Sequence, residues 1–389
     1  MIRMIWPQYL LRWKTRAVKS INAIKDGIAM NKFDLSEILF RTVCPNNEII
    51  TDDAGKPSVM VYIPKFTMKE MIAGGSDRVH PAFVVNGVER DGFYISKYQN
   101  TEIDRRGYSL PAEIPRNCVG FDLSRSKCTA KGRGWHLTTI QEWGAIALWC
   151  KKNGHLPYGN NDYGKDKREN MYRAIRVSNV ETGKGRVLTG TGPLSWSHDH
   201  TVAGIWDLNG NLSEWVGGFR TVYGELQVLP DNDGADLLNS QDAGSTAWRA
   251  IDAATGAFLV PDGKGTTKGS IKADYVGEGW GGRWKFTTEI TSRVDRIRRC
   301  DMSHIIVDDS ISPAARELLY AYALIGDDPF YDYREQHVYL NNGCPECFMY
   351  RGGYWGSGAF AGVFAWSCSW GRDHNYEGNG FRASYIPLD

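Results

Sequence analysis

Three groups of residues have the types and spacing for chemistry. Cys344-Pro345-Glu346-Cys347 is a CxxC without a second pair, which offers a zinc or redox site, a local disulfide, or two incidental thiols in a turn. His198-Asp199-His200 is the close-spaced histidine pair. On a strand, residues two apart share a face, so these imidazoles could hold a metal; the plainer expectation is that they line a loop near Trp196. Asp199 completes no acid–base pair, and no GxSxG, HExxH or phosphate-binding glycine loop is present. The third group is the C-terminal tail from Arg351 to Ser384. There Tyr354, Gly356, Ser357, Phe360, Ser367, Ser369, Asp373, His374, Asn375 and Tyr376 lie between scaffold-like phrases, Arg351-Gly352-Gly353, Ala361 to Ala365 and Gly380-Phe381-Arg382. A Tyr/Ser/Gly/Asp/His mixture without burial periodicity is a recognition chemistry, the composition of a paratope.

The elements that must position these residues follow from composition and pattern. The 389 residues are 42% hydrophobic, enough for a substantial core. Forty-six basic against forty-five acidic residues leave a net charge of +1, so no global field draws the chain to nucleic acid or acidic lipid. Fourteen Trp, nineteen Tyr and forty-three Gly point to many short strands with few helices. The eight cysteines are scattered, unlike a small disulfide-stapled domain, and are expected mostly as thiols. No run approaches the roughly 18 apolar residues that span a bilayer. Together with a basic stretch where a signal cleavage site belongs, this predicts a soluble chain without a signal peptide.

Residues 1–57 are expected as an N-terminal helical extension, with a basic amphipathic helix carrying Leu10, Trp13, Ala17, Ile21, Ile24 and Ile28 on one face. This helix is read as an exposed appendage, a membrane-surface or a docking helix; translation from Met30 is the further alternative. Val59–Ile63 and Gly92–Tyr98 read as strands. A helix follows with Thr138/Gln141 or Thr139/Glu142 as its capping box and Gly154 at its end, and Glu142 is expected to cap rather than catalyse. A second helix has Ser312 as N-cap, Pro313 first and Gly326 after its last turn. It lies in a long insertion at about 220–338, where Asp231-Asn232-Asp233-Gly234 reads as a turn.

Five separated phrases then align in order. VMVYIPKFTM, GFYISKYQNTE, the helix after GWHLTTIQEW, GIWDLNGNLSEWVGGF and RGGYW…GFRAS resemble the formylglycine-generating-enzyme type of C-type-lectin fold, an α+β architecture. The resemblance covers roughly 58–220 and 348–389 and implies one domain over 58–389. The tail is closer still to the variable proteins of diversity-generating retroelements, whose C-terminal repeat is rewritten at adenines over a variable region of about 351–384. From AAY codons, Tyr, Ser, Gly, Asp, His, Phe and Asn are reachable, but Trp and Glu are not. The resemblance therefore implies that the ten positions named above vary, with Gly378 and Asn379 at the margin, while Trp355, Trp366, Trp370 and Glu377 are fixed.

It also implies what the chain is for. The enzymes of the family bind copper through two cysteines of this segment, but here Cys368 stands alone, so the expectation is a binding protein and not an enzyme. A formylglycine-generating-type copper oxidoreductase and a structural phage-tail component are the alternatives. A structural calcium, with no cofactor otherwise required, is implied at Asp207, Gly210, Leu212 and Glu214. The implied partner is a protein or glycan on a cell surface, engaged from a virion or bacterial surface and by a homo-oligomer for avidity.

Overall fold

The computed structural model describes residues 42–169, 171–177, 185–279, 281–328 and 331–388; the predicted N-terminal amphipathic helix and Met30 lie outside them. Strands dominate. In chain order they are β1 (Asn47–Thr51), β2 (Pro57–Pro64), β3 (Gly92–Ser96), β4 (Trp135–Leu137), β5 (Ser213–Val222), β6 (Glu225–Val228), β7 (Lys272–Val276) and β8 (Arg283–Thr287). They continue with β9 (Arg298–Asp301), β10 (Ile306–Val307), β11 (His337–Leu340), β12 (Cys347–Gly352), β13 (Gly362–Trp370), β14 (Asn379–Phe381) and β15 (Ala383–Tyr385). The main helices are α1 (Phe121–Thr129), α2 (Ile140–Lys152) and α3 (Pro313–Ala321).

Two sheets organise the molecule. The first has five strands in the order β1-β2-β3-β15-β4. The second has twelve, along the path β9-β11-β13-β12-β5-β6-β7-β8-β10, with β14 beside β5 and the short strands Arg249–Ile251 and Phe258–Leu259 branching from β6. The chain is thus mixed α+β and mostly sheet, as expected. Asn47–Thr51 pairs in full register with β2, so the sheet begins inside the stretch assigned to the N-terminal extension; its alternation is too short to stand out from sequence alone. Within the segment 220–338, β6 continues the hairpin from β5, and β11 lies parallel to β13.

Local chemistry explains the helices. Thr139 Oγ1 accepts from the Glu142 amide while the Glu142 carboxylate accepts from the Thr139 amide, a complete capping box. Gly154, at φ +70°, follows the C-cap of α2. Along α2, Ile140, Trp143, Ile146, Ala147 and Cys150 are buried, and burying each large apolar side chain is worth roughly 1.5–3 kcal/mol. At Gly144 a Cβ would overlap the Ala321 carbonyl, so glycine permits α2 to touch the end of α3. Ser312 caps α3 by accepting from the Ala315 amide, but the helix stops at Ala321, short of Gly326, because Ala323 turns into the left-handed region at φ +49°. Asp231 to Gly234 forms the expected turn and runs into one 3-10 turn. Its Asn232 is buried between Thr139, Ala82 and Glu142, which it ties together by hydrogen bonds.

Candidate functional site: the C-terminal face

The tail starts and ends on buried arginines. Arg382 lies between the two sheets, and each of its five N–H groups has an acceptor. Nε and Nη2 clasp the Glu214 carboxylate at 2.8 Å each, Nη2 also meets Trp206 O at 2.8 Å, and Nη1 donates to Ser96 O and Lys97 O. Arg351 has only neutral acceptors, Ala323 O at 3.2 and 3.3 Å and Val363 O at 3.4 Å, besides the Met349 sulfur at 3.9 Å. Burial pulls its guanidinium down to about 9. Between them β13 is held by the 220–338 segment: Gln336 Oε1 accepts from the Phe364 amide at 2.7 Å. A Cβ at Gly362, φ +151°, would collide with that side chain.

On this frame the ten sequence-predicted positions divide. Asp373, Asn375 and Tyr376 are exposed, and Tyr354, Gly356, Ser357, Phe360 and His374 are part-exposed. Ser367 and Ser369 are buried, 5% and 2% exposed, and their hydroxyls hydrogen-bond each other at 3.2 Å. They lie in the sheet, not on an exposed patch. Ser367 pairs with Tyr339 of β11 on one side and Tyr350 of β12 on the other, and Arg299 lies across from Tyr339. This row is a floor. Gly378 and Asn379 are buried where the chain enters β14.

Two aromatic clusters adjoin the floor. In the first, Phe360 stacks on His337 at 3.8 Å between ring centres and 12° between planes, with the Arg299 guanidinium 4.8 Å from the Phe360 ring. The His337 ring also reaches Asp301. In the second, Trp370 stacks on His374 at 4.4 Å and 6°, His374 faces Tyr376 at 6.2 Å, and Tyr376 meets Tyr354 edge-on at 5.6 Å. Burial, with Tyr376 beside it, pushes the Tyr354 phenol up to about 12. Partial burial lowers His374 below the usual imidazole range. Ser357 serves the turn, its hydroxyl accepting from the Tyr354 amide at 3.0 Å. Trp355 and Trp366 are buried, whereas Trp370 is 42% exposed and belongs to the face. Arg299, His337, Tyr339, Tyr350 and the exposed Tyr163 also contribute, the last beside Gly356. Four of these five lie before Arg351 in other strands or loops that no tail motif points to, and Tyr350 is the residue just before it.

The other candidates resolve separately. His198 is buried against Trp149 with the two rings tilted at 44°, and its Nδ1 accepts from the Ile205 amide; His200 sits in the left-handed region and packs on His155. There is no strand here to aim both rings at one point. Glu142, beyond its cap, bonds His136 Nε2 at 2.8 Å. Cys368 is fully buried, bonded to Thr221 Oγ1 and Cys347 O, and burial pushes its thiol up to about 12.

The oxygens implied for calcium do converge, but on Gln99. Its Nε2 lies 3.2 Å from Asp207 O, 3.3 Å from Gly210 O, 2.8 Å from Leu212 O and 2.9 Å from Glu214 Oε1. An amide with two N–H groups fills the centre of the cradle, and both Glu214 oxygens are engaged by Arg382. The Asp207 carboxylate turns away to the Gly190 amide, and burial pushes it up to about 6. This donor set does not fit a divalent cation.

No family model matches the chain. No curated protein matches it either. Among solved structures the chain is similar to one titled Major Tropism Determinant U1 Variant, at 10% identity over 87% of this chain and 71% of that one, with a TM-score of 0.28. Among the described residues no helix is long and apolar enough to cross a membrane.

Proposed function

We propose that the chain is a ligand-binding display protein of C-type-lectin-like architecture, whose C-terminal variable region is diversified at adenines to recognise varied cell-surface proteins or glycans. The observation that carries this reading is the partition of the tail. The residues reachable from AAY codons supply most of the accessible side chains, Tyr354, Phe360, Asp373, His374, Asn375 and Tyr376, while Arg351, Trp355, Trp366 and Arg382 are buried. Substitution at the accessible positions alters contacts without disturbing packing. Tyr and Phe give contact area at low entropy cost, and the edge-on Tyr354–Tyr376 pair pre-orders two of them. The accessibility of Tyr354, Phe360 and Tyr376 favours display over a tail segment packed within its own chain. The burial of Cys368 disfavours the copper oxidoreductase.

The test is the coding locus. A near-copy of the codons for 351–384, differing at adenines and lying beside a reverse transcriptase gene, is the expected finding. Variation spread evenly over frame and face, with no such copy, overturns diversification and leaves the fold untouched.

A further inference from the structure

The CxxC stands apart from the display face yet holds part of it. Cys347 opens β12, and the backbone of Cys344 is fixed by the Tyr223 amide donating to its carbonyl at 3.0 Å. The Cys344 thiol donates to the Glu346 carbonyl at 3.3 Å inside the turn that joins the two cysteines, and the neighbouring Cys347 holds it below the usual thiol range. Cys344 is part-exposed and Cys347 fully buried, an arrangement that gives an attacking and a resolving thiol. Between them Glu346 grips two arginines. Its carboxylate meets Arg220 Nη1 at 2.7 Å and Arg372 at 3.1–3.3 Å, and Arg372 also chelates Asp122 at 3.0 Å. Arg372 O accepts from the Phe121 amide, so this arginine anchors the loop that presents Asp373, His374, Asn375 and Tyr376.

We propose that Cys344 and Cys347 form a reversible disulfide, a redox modification site that clamps Glu346 and through it the Arg372 anchor of the display loop. The oxidant is a small-molecule disulfide. The Cys344 thiolate attacks one of its sulfurs and expels one thiolate. The Cys347 thiol gives its proton to the expelled thiolate, attacks the Cys344 sulfur of the mixed disulfide and expels the second. Two protons leave the protein, one S–S bond forms and one breaks, and the oxidant is reduced to two thiols. Pro345 restricts the turn that must close. Both ends are already tied to β5, Cys347 by its strand register with Thr221 and Cys344 through Tyr223, so closure is local.

The full chain is equilibrated in oxidised or reduced glutathione, its free thiols are alkylated, and its peptides are weighed. In the oxidised buffer the peptide carrying both cysteines is expected lighter by two hydrogens and unlabelled. In the reduced buffer it takes two labels, and Cys368→Ser changes neither result. Glutathione on the exposed Cys118 verifies that the buffer oxidises. Exchange of the backbone amides of 371–378 is expected to slow by about threefold or more on oxidation. Full labelling of Cys344 and Cys347 in oxidised buffer, a Cys347–Cys368 link, or a glutathione adduct that persists on Cys344 overturns the site. Equal exchange in both forms overturns the clamp. Neither readout needs a ligand, so the result is independent of the proposed display function.

Discussion

The buried floor and frame of the C-terminal segment differ from its rim in what holds each side chain. Arg382 has a carboxylate and three carbonyls around it, Phe364 is bonded to Gln336, and Ser367 lies between two tyrosine strands. At the rim, His374 and Tyr376 are held by ring contacts with Trp370, Tyr354 and each other. Their loop's ion pairs run through Arg372 and not through Asp373, His374, Asn375 or Tyr376. The lesson is a separation of duties: polar networks set the backbone, and ring contacts cover it.

The strongest way to break that separation is at the clasp. Arg382→Met leaves Glu214 buried without its partner, and such a loss costs about 3–5 kcal/mol, read as a shift in urea midpoint. Arg351→Met is expected to cost less, since no carboxylate among the described residues is left unpaired; equal costs would show that the two arginines do the same work. Next comes Asp207→Asn. The Asp207 carboxyl is raised to about 6 in the fold, above its unfolded value of about 3.9. The native state therefore holds the proton more tightly, and stability falls as pH rises between those values. Asn keeps the acceptor for Gly190 and tolerates the left-handed φ of +62°, so the variant is expected to gain about 2 kcal/mol at pH 7–8 and nothing near pH 4. A flat pH difference would rule this out.

Smaller effects test the rim. Asp373→Ala, His374→Ala and Asn375→Ala are each expected to change stability by no more than about 0.5 kcal/mol in the same unfolding assay. A loss of several kcal/mol at any of them would make the rim part of the frame. Smallest of all is the response to calcium. With Gln99 Nε2 at the centre of the oxygen cradle, adding calcium or a chelator is expected to move the thermal midpoint by less than about 1 °C.

What the sequence exposed was local or covalently ordered. Thr139 with Glu142, Ser312 with Pro313, and the RGG and GFR phrases are read within a few residues, and the structure uses each where it stands. The rest depends on partners far away in the chain. Nothing near Arg351 indicates that Ala323 accepts its hydrogen bonds, and nothing near Phe364 points to Gln336, so the 220–338 segment read as an insertion when it supports the tail. Ser367 and Ser369 have paratope chemistry, but their burial is decided by Tyr339 and Tyr350 in neighbouring strands. Likewise Gln99 gave no sign that its amide would stand where four oxygens meet.

The placement of β15 has a consequence for biosynthesis. It lies between β3 and β4 in the first sheet, and the Arg382 that precedes it bonds Ser96, 286 residues earlier. That sheet cannot close until the ribosome has passed the segment proposed to vary, and such non-local closure is slow. A reading-frame error or stop anywhere within 354–378 removes β15 and the clasp together and leaves the edges of β3 and β4 unpaired.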